Sequence, residues 1–187
     1  MRYLRDAWLV LVLALGFGAA LAGVQAQLSG RIAANKLDET LGTVSRLVPG
    51  ATRGEAVEMA GRTVYKAMDE QGTHVGWVLP AGGQGFADRV ELLVGLSADL
   101  SKITGLYVLD QKETPGLGDK IRTDGWRKQF EGLSPIQPIG VTKVPPASGN
   151  QVVAITGATI SSQSVAAIVN TDVQWLSSQL ASQGASK

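Results

Sequence analysis

The chain has 187 residues, with 17 Lys+Arg against 16 Asp+Glu, one His and no Cys, the size of one domain with at most an appendage. A formal net charge of +1 exerts no general pull on nucleic acid and no basic cluster supplies one, so nucleic acid is not an expected partner. The absence of Cys excludes disulfides, thiol catalysis and Cys-ligated clusters, and a single His excludes a multi-His metal site. No metal is expected, and redox chemistry here requires an organic cofactor.

Residues 7–24 contain only Ala, Leu, Val, Gly, Phe and Trp, and no charge follows until Arg31. Extended to Gly30, the run reaches the ~20 mostly apolar residues of a spanning helix, which satisfies its own backbone in lipid. Arg2 and Arg5 precede it, and Trp8 stands where an interfacial aromatic would. The competing reading is a cleaved signal peptide, with Val24-Gln25-Ala26 as the small-residue cleavage site. The run is longer than the ~7–15 residues of a signal core, which favours a retained anchor. On either reading the rest of the chain is expected on the exported side of the membrane. Ile32, Leu37, Leu41, Val44 and Val48 then continue a helical stripe until Pro49-Gly50 stops it. That stripe packs either on the following domain or on a partner helix. The expected organisation is an anchor over 1–30, a helical stalk over 31–50 and one domain over 51–187.

Beyond residue 50 the pattern becomes that of strands. Residues 55–60 and 62–68 flank Gly61 as a hairpin. Residues 75–79 are a short apolar run ending at Pro80, followed by a glycine-rich loop over 81–86. Residues 89–96 and 103–109 read as two strands, and 112–118 as a loop. Residues 119–130 read as helix interrupted near Gly125. Residues 131–149, with Pro135, Pro138, Pro145 and Pro146, read as a long surface excursion. A short strand over 151–155 leads into a helix over 160–180, with Val165, Ile168, Val169, Val173 and Leu176 on one face. Strands first and helices later predict an α+β fold with a mostly antiparallel sheet and flanking helices. Gly83-Gln84-Gly85 leads into a strand rather than a helix, against a dinucleotide fingerprint, and no P-loop string exists. His74 reads as a surface residue near a strand start rather than a base.

Two segments carry chemistry. In the first, Thr156-Gly157-Ala158-Thr159-Ile160-Ser161-Ser162, a strand turns tightly into a helix N-terminus crowded with hydroxyls. One capping residue needs one hydroxyl; four with a glycine offer more, since exposed amides and the positive helix end favour a phosphate. The second is Glu113-Thr114-Pro115-Gly116-Leu117-Gly118-Asp119-Lys120. It holds Leu117 between two glycines, either as an anchor for the loop or as an apolar contact on a flat ligand.

Together these segments resemble the FMN-binding domain shared by the G subunit of Rnf electron-transport complexes and the C subunit of sodium-translocating NADH:quinone reductase. The family signature [ST]-G-A-T followed by x-[ST] matches Thr156 to Ser161, and the loop string matches Glu113 to Lys120 without a gap. Val94-Gly95, Trp126 and Gln129-Phe130 also fit. The resemblance spans roughly residues 55–180 plus the anchor. Here Thr replaces the commoner first Ser, and Ser161 a frequent Thr; both keep the hydroxyl.

The resemblance implies FMN attached covalently through a phosphoester to Thr159. It implies that Thr156, Gly157 and Ala158 shape the phosphate turn, that Ser161 also binds the cofactor, and that Glu113, Thr114, Gly116, Leu117 and Gly118 border the ring. No residue is assigned a catalytic role. An alkyl phosphodiester keeps one negative charge, well placed on helix N-terminal amides. A threonine hydroxyl is a poor nucleophile without activation, so a separate flavin transferase is the implied partner. The other implied partners are the further subunits of a membrane electron-transport complex, and membrane lipid. The implied function is electron relay between reduced ferredoxin and NAD, coupled to ion movement. The flavoprotein would be a single-pass inner-membrane subunit with its FMN domain on the exported side. The chain's length favours the G-type subunit. The alternatives are the C-type subunit of the quinone reductase, another respiratory FMN-binding protein, or a non-redox anchored scaffold.

Overall fold

The computed structural model describes the backbone of residues 2–144 and 149–184. It divides between Glu39 and Thr40 into two units. Helix α1 (Arg2–Leu47) supplies the described residues of the first unit and enters the second. Its most apolar 18-residue window has a mean hydropathy of 2.3, and its large apolar side chains from Trp8 to Leu41 are exposed. By length and composition it is able to cross a membrane.

The second unit is built on a five-stranded antiparallel meander in the order β1-β2-β3-β4-β5. The strands are β1 (Arg53–Met59), β2 (Arg62–Met68), β3 (His74–Gln84), β4 (Arg89–Ser97) and β5 (Ile103–Asp110). The first hairpin turns on Ala60 and Gly61, at φ 47° and 77°, the positive pair of a tight two-residue turn. Alternation gives the sheet two apolar faces. Trp77, Leu79, Val90, Leu92, Val94 and Leu96 share one core with Val165, Val169, Val173 and Leu176 of helix α3 (Thr159–Gly184). Tyr65, Ala67, Val78 and Leu93 share the other with Val44, Leu47 and Val48. The stripe read along residues 32–48 therefore divides: Val44 and Val48 are core, while Ile32, Leu37 and Leu41 are exposed.

Glycines make the second contact possible. Gly95 and Gly105 are cross-strand partners. A Cβ on Gly95 would lie 2.6 Å from the Leu47 carbonyl oxygen, and one on Gly105 3.2 Å from it. A Cβ on neighbouring Gly76 would lie 2.7 Å from Val48 Cγ1. Bare backbone on three adjacent strands thus forms a trough for the end of α1.

Three local expectations are corrected. The glycine-rich segment after Pro80 is strand, because β3 stays paired with β4 through Gln84↔Arg89. Pro80 lacks an N–H, and pairing with β2 stops at Val78. Beyond it, Asp172 of α3 replaces the missing neighbour by accepting the Gly82 N–H at 3.0 Å. Arg62 donates to the Pro80 carbonyl at 3.2 Å, pairs with Asp172 at 2.9 Å and lies 4.1 Å from the Trp175 ring centroid. The excursion over 131–149 contains strand β6 (Gly140–Thr142), paired in parallel with β7 (Gln151–Val153); Pro145 and Pro146 lie outside the described residues. The helix expected over 119–130 is instead a 3-10 turn (Gly118–Arg122), a single helical turn α2 (Asp124–Arg127) and a second 3-10 turn (Lys128–Phe130). The break falls at Thr123, whose ψ of 137° is extended.

Candidate functional site

The turn before α3 is fixed from both sides. Upstream, the backbone of Val153 is held by side chains of the segment after the 3-10 turn. The Trp126 indole N–H donates to its carbonyl at 2.9 Å, and its own N–H donates to Gln129 Oε1 at 2.7 Å. Downstream, Ser162 closes the turn: its Oγ accepts the Ile155 N–H and donates to the Ala158 carbonyl, both at 3.0 Å. Gly157 takes φ +81°, a conformation natural to glycine. The Ser162 N–H bonds the Ala158 carbonyl at 3.1 Å, so the N–H groups of Thr159, Ile160 and Ser161 precede the first closed bond of the helix.

The four hydroxyls of this turn have separate situations. Ser162 is buried in the turn. Ser161 is buried and donates a short hydrogen bond to Glu113 Oε2. Thr156 is exposed, and Thr159 is half-buried at the wall of a cavity. Among the described residues, the Thr159 hydroxyl has no hydrogen-bond partner, which leaves it uncommitted at the helix N-terminus, where Ser161 and Ser162 are both engaged.

Glu113 is 3 % exposed. Oε1 accepts the Ala87 N–H at 3.0 Å while Oε2 accepts from Ser161. The carboxylate thus joins the turn before β4, the loop after β5 and the start of α3. Glycines admit it: a Cβ on Gly85 would lie 2.4 Å from Glu113 Oε1, and one on Gly118 2.9 Å from Ser161 Oγ. The loop folds over this bridge. Gly116 takes φ +77°, and the Thr114 carbonyl accepts the N–H groups of Leu117 at 3.1 Å and Asp119 at 3.2 Å. The adjacent Asp88 carboxyl is held below its usual range by the Arg89 N–H and, second, by Lys112.

These segments enclose a cavity of about 340 Å³, lined by Phe86, Thr114, Leu117, Gly118 and residues 157–161. The structure therefore brings seven of the ten expected site residues to the lining of one cavity: Gly157, Ala158, Thr159, Ser161, Thr114, Leu117 and Gly118. Thr156, Glu113 and Gly116 lie outside the lining; Glu113 stands behind it. Three apolar side chains stay open to solvent around it, Phe86 at 58 %, Ile160 at 53 % and Leu117 at 43 %. The sequence reading assigned no role to Phe86 or Ile160. The signal that singled out Leu117, a large apolar residue in a glycine-flanked loop, was present at Gly85-Phe86 as well.

The donor set fits a flavin phosphate. Unbonded helix N-terminal amides, a glycine at positive φ and a free hydroxyl adjoin apolar side chains suited to a flat aromatic ring. Among the described residues, no cluster of His, Cys, Asp and Glu is suited to a metal ion.

The family model of the FMN-binding domain matches residues 85–174. Over 129 residues the chain is 40 % identical to the G subunit of the ion-translocating oxidoreductase complex of Methanosarcina acetivorans, covering 67 % of this chain and 66 % of that protein. It is 40 % identical over 105 residues to the G subunit of the Na(+)-translocating ferredoxin:NAD(+) oxidoreductase complex of Acetobacterium woodii, covering 55 % and 50 %. The chain thus spans about half to two thirds of the length of these relatives. The crystal structure of the C subunit of Na(+)-translocating NADH-quinone reductase from Parabacteroides distasonis superposes with a TM-score of 0.54 at 20 % identity, covering 69 % of this chain and 76 % of that one. NqrC of Shewanella oneidensis superposes with a TM-score of 0.52 at 21 % identity, covering 65 % and 64 %. The solved structures share the α+β fold, and through the segment that spans Phe86, Glu113 and Thr159 the chain belongs to the FMN-binding domain family.

Proposed function

We propose that this protein is a membrane-anchored flavoprotein subunit of an Rnf-type ion-translocating oxidoreductase, carrying FMN on Thr159 and relaying electrons within the complex. The carrying observation is the Thr159 hydroxyl, uncommitted at a helix N-terminus and facing a cavity edged by exposed apolar side chains. Similarity to the G subunits of such complexes supports the assignment. The C subunit of the Na(+)-translocating NADH-quinone reductase of Vibrio anguillarum is matched over 37 % of its length, against 66 % and 50 % for the two G subunits above, which favours the G-type reading.

In this reading the amides of Thr159, Ile160 and Ser161 hold the phosphate, and Gly157 and Ala158 shape the turn that presents them. Thr114, Leu117 and Gly118 border the ring. When bound, the flavin supplies the reversible electron transfer, while the protein positions it and sets its potential. A phosphoester keeps one negative charge on the positive helix end, and the tether prevents loss of the cofactor between electron exchanges. Among the described residues, nothing beside Thr159 is placed to activate its hydroxyl: the neighbouring carboxylate, Glu113, is engaged by Ser161 and Ala87. Attachment therefore falls to a flavin transferase. Helix α1 anchors the protein in lipid and the FMN domain lies on the exported side.

In-gel flavin fluorescence of the denatured protein, co-expressed with a flavin transferase and exported, tests the assignment. Wild type is expected to fluoresce and Thr159→Ala to be dark, with unchanged circular dichroism. A fluorescent Thr159→Ala band removes Thr159 as the attachment point. A dark wild type, beside a control substrate that the transferase does label, removes covalent flavin and favours a non-redox scaffold.

A further inference from the structure

The Gly85–Asp88 turn lies more than twenty residues before the loop that the family resemblance assigns to the flavin, yet Phe86 reaches the same cavity. A phenylalanine held 58 % exposed forgoes much of the stabilisation that burial gives a large apolar side chain. The turn that displays it is tightly specified. The Gly85 N–H donates to the Asp88 carbonyl at 2.8 Å, and the next N–H but one, that of Ala87, is tied to Glu113 at 3.0 Å. No side chain fits at Gly85, because its Cβ would lie 2.4 Å from Glu113 Oε1 and 2.6 Å from the Asp88 carbonyl. The other oxygen of the same carboxylate accepts from Ser161 on the opposite wall.

We infer that Phe86 forms an apolar wall of the flavin ring site together with Leu117, and that Glu113 is the positioning residue that sets this wall, acting from behind the cavity rather than touching the ring. The inference rests on the flavin reading above. It changes the role of Glu113 from ring contact to brace, and adds a third chain segment to the site. What matters in Glu113 is its reach to two donors at once. A glutamine retains that reach, with its oxygen for the Ala87 N–H and its amide for the Ser161 hydroxyl. An aspartate keeps the charge but is one methylene too short to span both.

The test uses the full chain, co-expressed with a flavin transferase and purified in detergent, with the flavin excited-state lifetime as the readout. An indole in contact with an excited flavin quenches it by electron donation, so Phe86→Trp is expected to shorten the lifetime several-fold. Ile136→Trp, in an exposed loop position that lines no part of this cavity, leaves it at the wild-type value. Adding Glu113→Ala or Glu113→Asp to Phe86→Trp restores a long lifetime, whereas adding Glu113→Gln keeps it short. An unshortened lifetime in Phe86→Trp overturns the ring wall. Quenching that persists in both the Glu113→Ala and Glu113→Asp doubles overturns the brace; Glu113→Asp serves alone if Glu113→Ala does not fold. A wild type without flavin overturns the flavin reading instead, and is recognised by its lack of colour before any lifetime is measured.

Discussion

At the scale of single residues, the turn before α3 shows how one motif distributes unlike tasks among similar side chains. Ser162 and Thr156 are both hydroxyls of this turn, but the Ser162 hydroxyl is buried with one donor and one acceptor to serve. Ser162→Ala strands the Ile155 N–H and is expected to cost about 1–3 kcal/mol. Thr156→Ala, at an exposed position, should stay within about 0.5 kcal/mol. Urea unfolding of the two variants checks the contrast. The motif was legible in the sequence, but its apportionment was not. Ser161 is committed by Glu113, 48 residues earlier, and local spacing carries no record of such a partner.

The single histidine offers a second residue-scale expectation. His74 opens β3, packs edge-on to Trp77 with ring centroids 4.7 Å apart, and has a buried, unpartnered Nε2. Burial, followed in part by nearby Lys66, lowers its pKa below the ordinary 6.5. The folded state thus binds the proton less readily than the unfolded one. Stability is unaffected above about pH 6.5 and falls as the pH drops through the lowered folded value. The lone imidazole can be followed by NMR, where a midpoint below 6.5 is expected. His74→Gln should flatten the loss of melting temperature between pH 7 and 5.

At the scale of elements, the strands and the last helix were readable because period-2 and period-3.6 patterns are local. β3 was truncated in that reading because Pro80 and three glycines punctuate it, and those are ordinary signs of a loop. What keeps it extended is non-local: β4 on one side and the Arg62–Asp172 pair on the other. The Asp172 side chain is 10 % exposed and that of Arg62 37 %. Asp172→Ala is expected to destabilise by about 2 kcal/mol, less than the 3–5 of a fully buried pair because Arg62 retains access to water. Chemical denaturation gives that figure directly. The trough under α1 was equally invisible, since glycines at 76, 95 and 105 are scattered in sequence and adjacent only across strands. Gly95→Ala places a methyl 2.6 Å from a carbonyl oxygen and should lower stability by about 1–3 kcal/mol.

At the scale of the whole molecule, the division between Glu39 and Thr40 is within α1 rather than at its end. The final helical residues belong energetically to the sheet. A chain beginning at Thr40 should therefore fold and melt cooperatively in the absence of detergent. One beginning at Thr52 loses buried Val44, Leu47 and Val48, each worth about 1.5–3 kcal/mol. It is expected to melt lower and to bind a hydrophobic dye through the uncovered face. The sequence reading ended the helical stretch at Pro49-Gly50, a local stop signal that says nothing of which helical residues pack on the sheet. The packing that moves helical residues into the domain depends on the same cross-strand glycines.

The carboxylate that completes β3 also has a consequence beyond one molecule. Among the described residues, no other strand claims the second side of the segment from Pro80 to Gln84, and Asp172 and Arg62 occupy the backbone groups that a neighbour would seek. Without them the Gly82 amide and the Pro80 carbonyl become a template for a foreign strand, in a stretch where small side chains offer little steric resistance. The pair is in this sense a guard against fibril growth, and a loss that is modest in dilute solution would grow into precipitation as the protein is concentrated.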